Sequence, residues 1–143
     1  MKKTILIADD DPRIRDLVKM ILQPEGYTLY EAGDGLQALK LAKQIKPDLM
    51  LLDVVMPGLV GYYVCRALKN DPATRNIYVM FLTGRADLDA LAAVKRNGGD
   101  ELLGKPFQVG VLLAKIRMAL AGTQVVSLTR ADQEFPLAKA SNG

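Results

Sequence analysis

The alternation of two apolar patterns along the chain limits its possible folds more than any other feature. Five short apolar segments are each followed by a longer stretch in which apolar residues recur every three or four positions. The short segments have the length of strands, and the longer stretches have the period of amphipathic helices. Strands that alternate with helices form parallel sheets, because parallel neighbours are joined by helical crossovers. We therefore expect an α/β fold with a five-stranded parallel sheet and helices on both faces.

Turn-forming residues and helix caps indicate where the predicted elements begin and end. Asp11 is suited to cap the first helix and Pro12 to begin it, while Gly26 is expected to end it. Pro47 is expected to end the second helix. The predicted strands are 4–8, 27–31, 48–53, 76–83 and 101–103, and the third and fifth helices are 62–69 and 107–121. The apolar faces expected to pack on the sheet are Leu36, Leu39, Ala42 and Ile45 in the second helix and Leu88, Leu91 and Ala92 in the fourth.

The length of 143 residues suits one domain, which we place at residues 1–121. Residues 122–143 lose the periodicity, so we predict a tail or the stub of a linker there. No apolar run approaches the ~20 residues of a membrane span, and the N-terminus does not resemble a secretory signal. We therefore expect a cytoplasmic protein. The net charge of +3 comes from lysines and arginines scattered over predicted helices, so we expect no direct nucleic-acid or membrane binding.

The chain contains no histidine and a single cysteine, Cys65. This composition excludes Ser-His-Asp and Cys-His catalysis, imidazole metal sites, intramolecular disulfides and multi-thiolate zinc sites. Any chemistry must therefore use carboxylates, lysine and hydroxyl groups, and any metal ion that takes part is expected to be a hard one.

Charged and hydroxyl side chains follow four of the five predicted strands, where ligands bind in open parallel sheets. The second strand ends in Glu31, which we interpret as ordinary turn chemistry. The residues at the other four strand ends are Asp9, Asp10 and Asp11, then Asp53, Thr83 and Lys105.

These groups suit phosphoryl transfer. Carboxylates about 4 Å apart repel by roughly 4 kcal/mol at an effective dielectric near 20, and a Mg²⁺ ion bound by their oxygens would offset that repulsion. We assign Asp11 to helix capping rather than to the metal. Lys105 and Thr83 would suit phosphate oxygens, and Asp53 would be the nucleophile that forms an aspartyl-phosphate.

Four motifs, in this order and spacing, resemble those of the receiver domain of two-component response regulators, including the chemotaxis response regulators. They are "ILIADDDP", "DLMLLDVVMPG", "FLTG" and "GKPF", and the resemblance covers about residues 3–121. It implies a flavodoxin-like, doubly wound (βα)5 domain with strand order 2-1-3-4-5. It also implies a signalling domain that catalyses only its own phosphorylation and dephosphorylation.

The resemblance implies specific roles for the residues at the metal. Asp53 would accept the phosphoryl group from the phosphohistidine of a sensor histidine kinase or phosphotransfer protein. Mg²⁺ would be bound by Asp10, Asp53 and the backbone carbonyl of Val55, with Asp9 acting through water.

The same resemblance implies how the phosphoryl group would be recognised and reported. Lys105 would pair with it, and the bond from Lys105 to Pro106 would be cis. Thr83 would hydrogen-bond a phosphoryl oxygen and report it to the face formed by the fourth helix, the fifth strand and the fifth helix. An output domain or a separate protein would bind this face, and a homodimer could use it as well.

Three positions bear on how such a switch would differ from its relatives. Leu102 stands in the fifth strand where receiver domains often carry Tyr or Phe, so the usual coupling between threonine and aromatic residue is in doubt. Val55 and Arg85 lie two residues after Asp53 and Thr83, and we expect this pair to set the lifetime of the phosphoryl group.

Three other functions fit parts of the pattern. An aspartate-nucleophile phosphatase would usually have a second acid at the position of Val55. An FMN carrier would need a phosphate-binding loop where the three acids after the first strand would repel phosphate. The third alternative is a receiver-like scaffold or dimerisation module that is not controlled by phosphorylation.

Overall fold

The computed structural model describes residues 2–58 and 60–125, with side chains described as far as residue 121. One unit, Met1–Leu112, contains the sheet and the first four helices, and a second unit, Leu113–Gly143, contains the rest of the fifth helix. The strands are β1 (Thr4–Ala8), β2 (Thr28–Ala32), β3 (Leu49–Asp53), β4 (Tyr78–Thr83) and β5 (Glu101–Gly104). The helices are α1 (Pro12–Leu22), α2 (Gly35–Ile45), α3 (Gly61–Lys69), α4 (Leu88–Arg96) and α5 (Val109–Val125).

All five strands are parallel and lie in the order β2-β1-β3-β4-β5, which confirms the predicted sheet. Asp53 is level with Leu82, the residue before the end of β4, and Thr83 is level with Gly104 of β5. The carboxyl ends of β3, β4 and β5 therefore meet at one edge of the sheet. This register brings together residues that are far apart in sequence.

The central strands are buried on both faces, which explains their nearly continuous apolar sequences. Every residue of β3 is buried, including Asp53. On one face, α2 and α3 cover Met50, Leu52 and Phe81. The alternate residues of these strands, such as Leu51 and Leu82, are also fully buried.

The first helix begins as predicted but ends earlier. The Asp11 carboxylate accepts the amide hydrogen of Arg13, so Asp11 caps α1, and Pro12 is its first residue. The α-helix stops at Leu22 and continues as a 3-10 turn, Gln23–Glu25, which Gly26 ends at φ 86°. The predicted end at Gly26 was therefore too late, because the nitrogen of Pro24, within the turn, carries no hydrogen for an α-helical bond.

The predicted buried faces of α2 and α4 were partly wrong. Ala42 is buried as predicted, but Leu36 is 51% exposed and Ala38 contributes to the core instead. In α4, Leu88 is 83% exposed, Leu91 and Ala92 are also exposed, and Val94 is the buried residue. In both helices apolar residues occupy more than one side, so their spacing did not decide which side is buried.

The predicted domain limit at residue 121 falls within α5, which continues to Val125. The rest of the predicted tail lies outside the described residues, so its assignment stays a prediction. Among helices within the described parts of the chain, none has both the length and the apolar character that crossing a bilayer requires.

Candidate functional site

Three carboxylates converge at the ends of β1 and β3. Asp9, Asp10 and Asp53 each contribute an oxygen, and these oxygens lie within 4.8 Å of one another. Asp9 and Asp53 are buried, whereas Asp10 is exposed. The two strands are hydrogen-bonded neighbours, so residues that follow them meet at the same edge. A set of hard oxygen donors, open to solvent on one side, fits a divalent cation such as Mg²⁺.

A glycine at the start of α3 fixes the backbone next to Asp53. The Gly61 amide donates to the carbonyl of Val54 at 2.8 Å, which ties the start of α3 to the end of β3. A Cβ atom at position 61 would lie 2.3 Å from the carbonyl oxygen of Asp53. Only glycine permits this approach without displacement. Gly61 was not among the predicted site residues, although a glycine just after "PGLV" is a signal for a close backbone approach.

Lys105 places a cation between the two buried carboxylates. Its Nζ lies 3.1 Å from Oδ2 of Asp9 and 3.5 Å from Oδ1 of Asp53. Its backbone amide donates to the carbonyl of Thr83 at 2.7 Å, and its peptide bond to Pro106 is cis, as the family resemblance implied. Lys105 thus joins β1, β3 and β4 at the site.

The positive charge of Lys105 only partly balances the negative charges of the three carboxylates. Burial, the largest cause, and the charge of Asp9 together raise the pKa of Asp53 to about 6, although the charge of Lys105 acts to lower it. Although burial lowers the pKa of Lys105, its hydrogen bond to Asp9 and the charge of Asp53 raise that pKa overall. One lysine facing three carboxylates leaves excess negative charge, which favours a bound cation.

Thr83 ends β4 at the same edge of the sheet. Its hydroxyl oxygen accepts the amide hydrogen of Arg85 at 3.1 Å, so the hydroxyl hydrogen is available for donation to another acceptor. No hydrogen bond joins Thr83 to the three carboxylates within the part of the chain that the structure describes. Its carbonyl is nevertheless bonded to the amide of Lys105, which links the two residues directly.

The sequence of the chain matches the response regulator receiver domain over residues 5–117. The chain belongs to this family, the receiver domains of two-component systems. It is 40% identical over 119 residues to the DNA-binding dual master transcriptional regulator RpaA of Synechocystis, covering 83% of this chain and 49% of that protein. It is 35% identical over 120 residues to the DNA-binding response regulator MtrA of Mycolicibacterium smegmatis, covering 84% and 51%. The chain therefore spans about half the length of these relatives.

Solved structures agree with this assignment. The CheY-like response regulator receiver domain protein of Methanospirillum hungatei has a TM-score of 0.80 at 28% identity, covering 87% of this chain and 98% of the other. The signal receiver domain of a signal transduction histidine kinase from Syntrophus aciditrophicus has a TM-score of 0.77 at 31% identity, covering 92% and 96%. These similarities confirm the flavodoxin-like receiver fold and the identification of the chain as a signalling domain.

Neither Val55 nor Arg85 places its side chain in the acidic cluster, which consists of Asp9, Asp10 and Asp53. The Val55 amide donates to Oδ1 of Asp53 at 3.3 Å, while the Val55 side chain is 73% exposed. The Arg85 side chain is exposed and pairs with Asp87 at 3.0 Å. Both side chains therefore stand at the solvent side of the site.

Leu102 lies away from the acidic cluster, on β5. It is half-buried and packs against the core. It also lines a hollow of about 460 Å³ next to α4, together with the exposed Leu88 and Leu91. In this receiver, the position that often carries an aromatic residue is therefore occupied by a leucine that lines a hollow with both apolar and acidic residues.

The sequence analysis also missed a charged network beside β1. Glu31 lies within β2, as the predicted strand 27–31 required, but its carboxylate does more than turn chemistry: it accepts hydrogen bonds from Arg15 at 2.8 Å and from Lys19 at 2.5 Å. Arg15 also donates to the backbone carbonyl of Asp9 at 2.6 Å. The four-residue spacing of Arg15 and Lys19 on α1 could have predicted a shared acidic partner.

Proposed function

We propose that this receiver domain accepts a phosphoryl group on Asp53 from the phosphohistidine of a sensor histidine kinase or phosphotransfer protein. The observation that carries the proposal is the convergence of Asp9, Asp10 and Asp53 with the ammonium group of Lys105. Membership of the response regulator family supports it, since such regulators act with histidine kinases.

The donor set supports Mg²⁺ as the cation. Asp10 and Asp53 would bind it directly with the backbone carbonyl of Val55, and Asp9 would act through water. When bound, the ion would neutralise charge on the phosphoryl oxygens during transfer.

The remaining chemistry rests on the chain's own residues. An Asp53 oxygen attacks phosphorus while the bond from phosphorus to the donor's imidazole nitrogen breaks. The nitrogen keeps the bonding electron pair and the ring takes up a proton from solvent, which yields an acyl phosphate and a free imidazole. Because its pKa is about 6, Asp53 is mostly ionised at neutral pH and can act as the nucleophile. Lys105 would then bind a phosphoryl oxygen, and Thr83 would donate its hydroxyl hydrogen to another.

We propose that Val55 and Arg85 set how long the phosphoryl group persists. Both side chains are exposed, and they follow Asp53 and Thr83 at the same edge of the sheet. A water molecule that hydrolyses the acyl phosphate would approach from this side. The bulk of Val55 and the charged side chain of Arg85 would therefore restrict its path.

The conformational change on phosphorylation would be transmitted to the output face through Thr83 and Leu102. We propose that movement of Thr83 on phosphorylation changes the hollow that Leu102 lines between α4 and β5, which is part of the predicted output face. The relatives RpaA and MtrA are named as DNA-binding proteins, and a partner or following domain could act on DNA in the same way. The formation of a homodimer and the cytoplasmic location stay predictions. That this chain does not itself bind nucleic acid also stays a prediction.

Intact-mass measurement tests the phosphoacceptor. The protein is incubated with Mg²⁺ and a small-molecule phosphodonor, and its mass is compared with that of Asp53→Asn. We expect one added phosphoryl group in the wild type and in the control Asp16→Asn, whose carboxylate is exposed on α1, and none in Asp53→Asn. An adduct that survives Asp53→Asn would place the acceptor elsewhere. No adduct with any donor or kinase would favour the scaffold function.

A further inference from the structure

We infer that Arg15, anchored by Glu31, is a positioning residue that orients the Asp9–Asp10 peptide so that the Asp10 carboxylate faces the cation site. The inference rests on the proposed function, because it assumes that the acidic cluster binds Mg²⁺. It adds a residue outside the cluster, on a different element, to the machinery of the switch.

The contacts of Arg15 join three elements. Its Nε donates to Oε1 of Glu31 at 2.8 Å, and its Nη1 donates to the carbonyl of Asp9 at 2.6 Å. The side chain of Arg15 is only 19% exposed, so water competes little for these hydrogen bonds. The planar guanidinium can make both bonds at once because its donors point in fixed directions.

The Asp9 carbonyl depends on this donor. Asp9 follows the last residue of β1, and its amide still donates to the carbonyl of Ala32 at 3.2 Å. The Asp9 carbonyl lies beyond the residue pairs of β1 with its neighbours, and Arg15 provides its hydrogen bond. At the end of β1, the amide of Asp9 is held by the neighbouring strand and its carbonyl by the side chain of Arg15.

A fixed carbonyl at Asp9 also fixes the start of Asp10. The carbonyl oxygen of Asp9 and the nitrogen of Asp10 belong to the same planar peptide group, so orienting one orients the other. The Asp9 carboxylate has its own bonds to the Asp11 amide and to Lys105. The Asp10 side chain is exposed, so the positions open to its carboxylate are set by its backbone and its own rotamer.

The charge of Arg15 and its position have opposite effects on cation binding. A guanidinium close to a divalent cation repels it, so removal of the charge alone would strengthen Mg²⁺ binding. Loss of the bond to the Asp9 carbonyl would weaken Mg²⁺ binding, because the ligand would no longer be held in place. Groups that orient metal ligands typically contribute roughly 10-fold to 100-fold to metal affinity. Loss of the Arg15 charge and loss of its bond to Asp9 would therefore change the Mg²⁺ affinity in opposite directions.

Calorimetric titration with Mg²⁺ separates them. Arg15→Lys keeps the charge, but a lysine cannot make both bonds in this geometry, so we expect its Mg²⁺ affinity to fall roughly tenfold. Arg15→Met should fall at least as far. The control Lys19→Met removes a cation that pairs with the same Glu31 but does not contact Asp9, and its affinity should equal or slightly exceed that of the wild type. Thermal unfolding in EDTA checks that each variant is folded.

Each outcome bears on a different part of the argument. Unchanged or tighter Mg²⁺ binding in Arg15→Lys and Arg15→Met, with normal binding in the wild type, would refute the role of Arg15 alone. An equal loss in Lys19→Met would also refute it, because the effect would then follow the general charge network. A folded wild type that binds no Mg²⁺ would refute the proposed function and this inference together.

Discussion

The contact of Gly61 with the end of β3 predicts that Gly61→Ala destabilises the domain and disturbs the site. The added Cβ would lie 2.3 Å from the Asp53 carbonyl oxygen and 3.1 Å from Cα of Val54. Cβ atoms essentially never approach other heavy atoms closer than 3.0 Å. The two atoms nearest the new Cβ belong to backbone, so the start of α3 or the end of β3 must move.

The expected size of the effect follows from two opposing contributions. Overpacking a tight interior contact costs about 1–3 kcal/mol. Replacing glycine by alanine where the backbone permits it stabilises by about 0.4–1 kcal/mol through the unfolded chain. We therefore expect Gly61→Ala to lower the free energy of unfolding by about 1–2 kcal/mol. The same shift should displace Asp53 and slow its phosphorylation.

Urea denaturation measures the first effect, and intact-mass kinetics with a phosphodonor measures the second. Gly110→Ala is the matched control, because Gly110 lies in the first turn of α5 and its added Cβ would meet no atom within 4 Å among the described residues, apart from its chain neighbours and the backbone of its own helix. We expect the control to be stabilised by about 0.4–1 kcal/mol, with unchanged phosphorylation. A Gly61→Ala protein as stable as the Gly110→Ala protein would refute the argument from close approach.

Two further predictions concern hydrolysis and pH. Replacing Val55 and Arg85 together by small polar residues should change the dephosphorylation rate, and an unchanged decay of the phosphorylated mass would contradict their role. Because the pKa of Asp53 is raised from 3.8 to about 6, the folded state binds more protons than the unfolded state in this range. In metal-free protein, the free energy of unfolding should therefore contain a contribution that falls as pH rises from about 4 to about 6. Asp53→Asn should remove this contribution. Identical pH profiles of the wild type and Asp53→Asn would contradict the prediction.

The convergence of the predicted residues at one edge of the sheet has a simple physical basis. In a parallel sheet all carboxyl ends lie at one edge, so the residues after each strand meet there whatever the details of packing. Asp9, Asp53 and Lys105 could therefore be placed together once the strands were recognised. Thr83 was placed at the same edge for the same reason, although no hydrogen bond joins it to the three carboxylates within the described residues.

The wrong predictions concern which side of a helix is buried, because a periodic pattern does not decide this. In α2 and α4, apolar residues occupy more than one side of the helix, so the spacing alone does not decide which side faces the sheet. Leu36 and Leu88 matched the period but are exposed, whereas Ala38 and Val94 are buried. The choice depends on how closely each helix approaches the strands.

The sequence by itself determined the alternation of strands and helices, the parallel sheet and the set of chemical groups at its edge. These properties depend on local periodicity and on residue types, which the chain carries directly. Only the tertiary structure decided that Arg15 donates to the Asp9 carbonyl and that α3 lies against Asp53 at Gly61. Such contacts depend on distances between elements, which are set by the packing of all the side chains between them.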